Sequence, residues 1–118
     1  MLGAGAMGSR GMRDVWQPFS DRMAFAGLVD PNPAALHEAG DSFGLPPARF
    51  AGAREAFAAV DADFCYIVTP PAHHQEAVEL ACARGMDILS EKPIADTPQA
   101  SAAIARAVKA AGVRMMVT

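Results

Sequence analysis

The sequence predicts an α/β fold, with a doubly wound parallel sheet and helices on both of its faces. Three observations predict it. The chain opens on Gly3-Ala4-Gly5-Ala6-Met7-Gly8, a G-x-G-x-x-G spacing that turns a strand into a helix. Short apolar runs then alternate with helix-period stretches, and no repeat, linker or low-complexity segment interrupts them. The clearest run, Phe64-Cys65-Tyr66-Ile67-Val68, is continuous and β-favouring, as a strand buried on both faces should be.

In chain order, Met1-Leu2 stand where a whole first strand belongs, so that strand reads as truncated. Residues 6–19 are expected to form the first helix. Val15, Trp16 and Phe19 fall on one side of it, Arg10, Arg13 and Asp14 face solvent, and Pro18 lies near its end. Residues 23–29 read as a buried strand that stops at Asp30. Asp30-Pro31-Asn32-Pro33 turns into a helix that Gly44 closes after Phe43. A short strand at 49–51 and a short helix at 54–59 come next. Thr69-Pro70-Pro71 halts the 64–68 strand, and a helix over 72–84 puts His74, Ala77, Val78, Ala81 and Cys82 on one face. Gly85 stops that helix, and residues 87–90 return as a strand before Glu91-Lys92-Pro93. Thr97 caps and Pro98 opens a helix to residue 111, with Ala100, Ile104, Ala107, Val108 and Ala111 inward and Gly112 closing it. Residues 113–118 begin a last strand.

Composition narrows the function classes. A length of 118 residues suits one domain and is small for a two-domain enzyme; 52% apolar and 19% charged residues mark it as globular. A net charge of -3 without a basic run argues against nucleic acid. No stretch is long and apolar enough to span a bilayer, and no signal segment opens the chain. Cys65 and Cys82 lie inside expected elements without metal-ligand spacing. They read as reduced core residues of a cytoplasmic protein. Met7, Met12, Met23, Met86, Met115 and Met116 read as core filling, and no metal site is expected.

Three stations can carry chemistry. In the glycine loop, Gly3 allows the tight turn, Gly5 lets the backbone approach a pyrophosphate, and Gly8 lets helix and strand pack closely. The N–H groups of Ala6 and Met7, opening the helix, then face the phosphates. Asp30 ends the following strand 22 positions after Gly8, where a carboxylate accepts hydrogen bonds from ribose hydroxyls and repels a 2'-phosphate. No Arg or Lys follows in Pro31-Asn32-Pro33, which favours NAD over NADP. A plain turn aspartate before proline is the competing reading. The second station is Thr69-Pro70-Pro71-Ala72-His73-His74, leaving a strand at the edge where ligands collect. Thr69 offers a hydroxyl, and His74 either points to the cleft or continues the buried stripe of its helix. A structural role is favoured over proton transfer for either histidine, and His37 reads as a surface residue. At the third station, Lys92 can donate to an alcohol or carbonyl oxygen and stabilise negative charge developing there. Glu91 could steady its ammonium, and a solvated charge pair before a turn proline competes with this reading.

With these stations in order, the chain resembles the nucleotide-binding domain of the Gfo/Idh/MocA oxidoreductases. The resemblance rests on the Gly3 to Gly8 loop, Val29-Asp30-Pro31, Thr69-Pro70-Pro71 with His74, Gly85, and Glu91-Lys92-Pro93-Ile94-Ala95, and covers essentially the whole chain. It implies a Rossmann domain in which Gly3, Gly5, Gly8, Asp30, Thr69, His74 and Glu91 surround NAD(P), with Ala6, Met7 and Pro70 among the contacts. Lys92 is implied beside the nicotinamide and the substrate oxygen. The implied reaction is hydride transfer between nicotinamide and a hydroxyl-bearing carbon of a small substrate, a sugar, polyol or derivative. A second domain, an open antiparallel sheet, would bind substrate and mediate homo-oligomerisation. None of it is in this sequence, so the chain is expected to be a fragment with Met1 internal. Two other readings stay open: a non-catalytic dinucleotide-binding or regulatory module, and a methyltransferase, in which Lys92 has no evident task.

Overall fold

The computed structural model of the chain describes residues 1–41 and 48–118, with the side chains of Val15 and Trp16 outside that set. It comprises two compact units, Met1–Asp61 and Ala62–Thr118.

In the first unit, strands β1 (Gly27–Val29) and β2 (Ala48–Phe50) pair in parallel. Leu2 bridges Val29 in parallel on the strand's other side, where the Val29 N–H donates to the Met1 carbonyl at 2.9 Å. Met1-Leu2 therefore lie alongside β1 in the parallel sense. Helix α1 (Ala6–Gly11) follows the loop, α2 (Pro33–Asp41) follows β1, and α3 (Ala53–Ala59) packs on both strands. Ala4, Met12, Leu28, Leu36 and Ala39 form the core of this unit, with Met1, Phe25 and Ala35 against it.

Several expectations change here. The regular helix over 6–19 is absent. The path leaves α-geometry after Gly11, runs as a π-helical turn over Met12–Trp16, and ends as a 3-10 turn over Gln17–Phe19. Pro18 has no N–H to give to residue 14 and its ring crowds that carbonyl, so the ordinary ladder cannot continue there. Phe19 is exposed instead of inward, with the Arg22 guanidinium 5.3 Å from its ring centroid. The proposed positions of Val15 and Trp16 lie outside the described residues, as do Phe43 and the Gly44 stop. The strand over 23–29 shrinks to β1, because the Met23 N–H donates to the Phe19 carbonyl at 3.0 Å and is spent on a turn. Pro33 opens α2 as expected, and Asn32 Oδ1 caps it by accepting from the Ala34 N–H at 3.0 Å.

In the second unit, β3 (Phe64–Ile67), β4 (Asp87–Ser90) and β5 (Met115–Val117) form a parallel sheet in that order. A 3-10 turn over Pro71–His73 leads into α4 (His74–Ala83), and α4 packs against α5 (Pro98–Ala111). The expected faces hold for the most part. His74, Ala77, Val78 and Ala81 are buried, but Cys82 is only half-buried at the margin of the stripe. Thr97 Oγ1 accepts from the Ala100 N–H at 3.1 Å and Pro98 begins α5. Ile104 is fully buried, whereas Ala111 is exposed at the last helical position, where one methyl has little apolar area to gain. The start of β5 is tied to β4 through Asp87, which accepts from the Arg114 backbone N–H and Nε, each at 2.8 Å, and from Nη2. Those hydrogen bonds hold the Asp87 carboxyl below its ordinary range.

The reading of the methionines as core filling holds for Met12 and Met86, while Met7, Met23 and Met116 are exposed. Met7 lies in the first turn of α1, Met23 just after the turn at residues 20–22, and Met116 on β5, which among the described residues pairs with β4. Among the described residues no helix is long and apolar enough to cross a membrane.

Candidate functional site

The glycine loop shows three different reasons for its three glycines. Gly3 has φ of 92°, a turn that a side chain would strain, and its N–H donates to the Val29 carbonyl at 2.8 Å. At Gly8 an added Cβ would lie 2.1 Å from the Gly3 carbonyl oxygen, so α1 packs on the turn at a distance only hydrogen permits. Gly5 differs. Its φ of -64° and ψ of -170° suit any residue, and an added Cβ would meet nothing within 4 Å. Neither backbone strain nor internal packing requires glycine there. Among the described residues, the backbone at Gly5 is therefore open to close approach by a group from outside. The N–H groups of Ala6 and Met7, in the first turn of α1, have no carbonyl four residues back within the helix. The space over Gly5 and these free donors fit a pyrophosphate.

Asp30, at the end of β1, belongs to the same station. Its Oδ2 accepts from the Ala4 N–H and its Oδ1 from the Asn32 N–H, both at 2.8 Å. Each oxygen has a second lone pair for a ribose hydroxyl. The carboxylate therefore also fixes the loop, a task the sequence did not reveal. Ser9 adds to this by donating from Oγ to the Ala4 carbonyl at 2.9 Å.

The second unit gathers Thr69, His74, Ser90, Glu91 and the turn that follows. Pro70 is exposed on the turn after β3, and the Thr69 hydroxyl is buried without a hydrogen-bond partner among the described residues. An unmet buried hydroxyl costs about 1–3 kcal/mol, so a hydroxyl or amide from a ligand is well matched to it. His74 is fully buried, its Nε2 donating to the Thr69 carbonyl at 2.8 Å. Of the two options open for His74, the buried stripe is the one observed, and the ring has no exposed edge to offer a ligand. Glu91 directs its carboxylate to Tyr66 and Thr118. Its Oε2 accepts from Thr118 Oγ1 at 3.0 Å and its Oε1 from the Tyr66 hydroxyl at 3.4 Å. Burial, and the Glu91 carboxylate beside it, push the Tyr66 phenol upward. Lys92 is exposed, on a cis peptide bond to Pro93.

Gly3, Gly5, Ala6, Met7, Gly8 and Asp30 thus form one cluster in the first unit. Thr69, Pro70, His74, Glu91 and Lys92 lie on two neighbouring strand ends in the second. The sequence reading passed over Ser90, Tyr66 and Asn32. Ser90 carried a signal, since a serine inside an apolar strand must find a partner when buried. His37 is exposed, its Nδ1 2.8 Å from Asp41 Oδ2. Among the described residues no cluster of three or more His, Cys, Asp or Glu side chains could hold a metal ion.

Comparison with known proteins bears on this geometry. The family model for the Gfo/Idh/MocA oxidoreductases, with an NAD-binding Rossmann fold, matches residues 1–118. An uncharacterized protein, y4oX, of Sinorhizobium fredii is 47% identical over 121 residues, 99% of this chain and 33% of that protein. An oxidoreductase from Agrobacterium radiobacter, solved with NAD+, L-tartaric acid and magnesium, superposes with a TM-score of 0.88. Its identity is 28%, over 98% of this chain and 33% of that one. The WlbA dehydrogenase of Bordetella pertussis, solved with NADH and UDP-GlcNAcA, gives 0.88 at 26% identity, over 99% and 35%. The chain spans about a third of the length of these relatives. A match over every residue, with the glycine loop built as that fold requires, makes this chain a member of the Gfo/Idh/MocA oxidoreductase family, in its NAD-binding Rossmann fold.

Proposed function

We propose that the chain is the cofactor-binding part of an NAD-dependent dehydrogenase. The enzyme would act on a hydroxyl or carbonyl carbon of a sugar, polyol or related small molecule. The observation that carries this reading is Gly5, a glycine that the fold itself does not need, beside free N–H groups and the Asp30 carboxylate. Residues 3–8 hold the pyrophosphate, and Asp30 accepts from the ribose hydroxyls and disfavours a 2'-phosphate. Thr69, Pro70 and Glu91 complete the contacts. NAD, when bound, supplies the hydride acceptor. Lys92 donates to the substrate oxygen and stabilises the charge that develops on it. The sugar or polyol class is supported by the family and by the nucleotide sugar bound to the Bordetella relative. The two free cysteines agree with a cytoplasmic setting, and we place the enzyme there as a homo-oligomer.

Lys92→Ala tests the assignment. In the enzyme that carries this chain, turnover should fall by about 10²- to 10³-fold while NADH affinity, measured by fluorescence titration, moves less than about 3-fold. Wild-type turnover in Lys92→Ala would sink the assignment of Lys92 to the reaction.

A further inference from the structure

We propose that His74 is the positioning residue for Lys92, tying the turn after β4 to the turn after β3. The inference rests on the reading of Lys92 given above. Lys92 is exposed, so its placement depends on how residues 90–94 are held. The imidazole holds them from beneath. Its Nε2 lies 2.8 Å from the Thr69 carbonyl oxygen, which can only accept, so Nε2 carries a proton and donates. Its Nδ1 lies 3.4 Å from Ser90 Oγ and 3.3 Å from the Ile94 carbonyl oxygen. With the proton on Nε2 alone, the Ser90 hydroxyl donates to Nδ1. With both nitrogens protonated, Nδ1–H donates to the Ile94 carbonyl, and Ser90 donates to the Glu91 carbonyl at 3.2 Å. Either way the ring joins residue 69 to one side or the other of Lys92.

Burial makes this arrangement more than a packing accident. His74 and Ser90 are the two fully buried polar side chains among the described residues. An apolar pair of similar volume would fill the same space without needing partners, so their presence signals that the hydrogen bonds are used. The turn they support carries the one ammonium assigned to the reaction.

The test is a double-mutant cycle with an independent structural readout. His74→Phe keeps the ring volume and removes every hydrogen bond. It should lower kcat about 10- to 100-fold with KM for NAD within about 3-fold, since a small misplacement of a reacting group costs that much. In a Lys92→Ala background it should cost nothing further. His74→Gln, which keeps a donor for the Thr69 carbonyl, should recover part of the loss. Amide hydrogen exchange over residues 91–95 should quicken about 10-fold in His74→Phe. Additive losses in the double mutant, or unchanged turnover and exchange in His74→Phe, overturn the proposal. Unchanged turnover in Lys92→Ala would instead condemn the reading of Lys92, and the exchange measurement would still judge whether His74 holds the turn. If His74→Phe does not fold, Ser90→Ala takes its place, with about a 3- to 10-fold loss expected; unaltered kcat and exchange in that variant overturn the proposal equally.

Discussion

The glycine loop of the first unit and the Lys92 turn of the second prepare a place for chemistry in opposite ways. At the loop, side chains have been taken away. Gly8 lets the helix close on the Gly3 carbonyl, and an added Cβ at Gly5 would meet nothing within 4 Å among the described residues. At the turn, side chains have been added underneath, with His74 and Ser90 buried, His74 bonded to the Thr69 carbonyl and Ser90 within reach of both His74 Nδ1 and the Glu91 carbonyl. The loop presents backbone donors, which need only clearance. The turn presents one flexible ammonium, which needs support. A site made by subtraction is specified by a few neighbouring positions. A site made by support draws on residues 69, 74, 90 and 94 together.

The sharpest way to separate folding from binding within the loop is to refill its glycines one at a time. Gly8→Ala should destabilise the protein by about 2–3 kcal/mol in urea titration, because the added methyl meets backbone and cannot be accommodated without a shift. Gly5→Val should leave stability within about 1 kcal/mol, since its backbone angles and surroundings accept a side chain. The same change should weaken NADH binding at least about 10-fold, measured by calorimetry. Equal stability losses in the two variants would erase the distinction between a glycine kept for packing and one kept for a ligand.

Asp30→Ala should have a smaller, two-part effect. Losing the carboxylate should shift the NAD/NADP ratio of kcat/KM toward NADP by about 10-fold, and losing the acceptor for the Ala4 N–H should raise KM for both cofactors. A changed ratio without a common rise in KM would show that the loop keeps its shape without Asp30.

The smallest expected effect lies away from both stations. Asp87 has its carboxyl pulled below 3.8 by hydrogen bonds from Arg114, so the pair contributes stability above that value and loses it as pH falls through the lower folded-state value. Arg114→Ala should lower Tm slightly at pH 7, and the difference from wild type should vanish in strong acid. A Tm gap that survives below the folded-state value would assign the effect to packing of the arginine stem.

Much of this was legible in the residues, for reasons that differ by place. The faces of α4 and α5 were readable because apolar spacing repeats over several turns. Thr97-Pro98 fixed the start of α5 through the chemistry of one cap. The segment over 6–19 misled because its apolar residues suggested a face, while Pro18 denied the ladder that would carry it. Met7, Met23 and Met116 read as core on hydrophobicity alone, which does not establish burial. At the candidate sites, the turn at Gly3 and the close packing at Gly8 could be read from spacing. Asp30's grip on Ala4 and the approach of His74 to Ile94 could not, since each brings residues 20 or more apart in sequence to a backbone atom.

The contact between Asp30 and Ala4 has a consequence for any redesign of cofactor choice. Removing the negative charge is the obvious first step toward accepting a phosphorylated ribose, yet the same oxygen is the fastening of the phosphate loop. Asp30→Asn is the better opening move than Asp30→Ala, since an amide oxygen can still accept from the Ala4 N–H while the charge is gone. The positive charge is then best placed at the exposed neighbour, as Pro31→Arg. On the proposed reading of Asp30, selectivity and loop order share one side chain, and an engineer who changes the first must refasten the second.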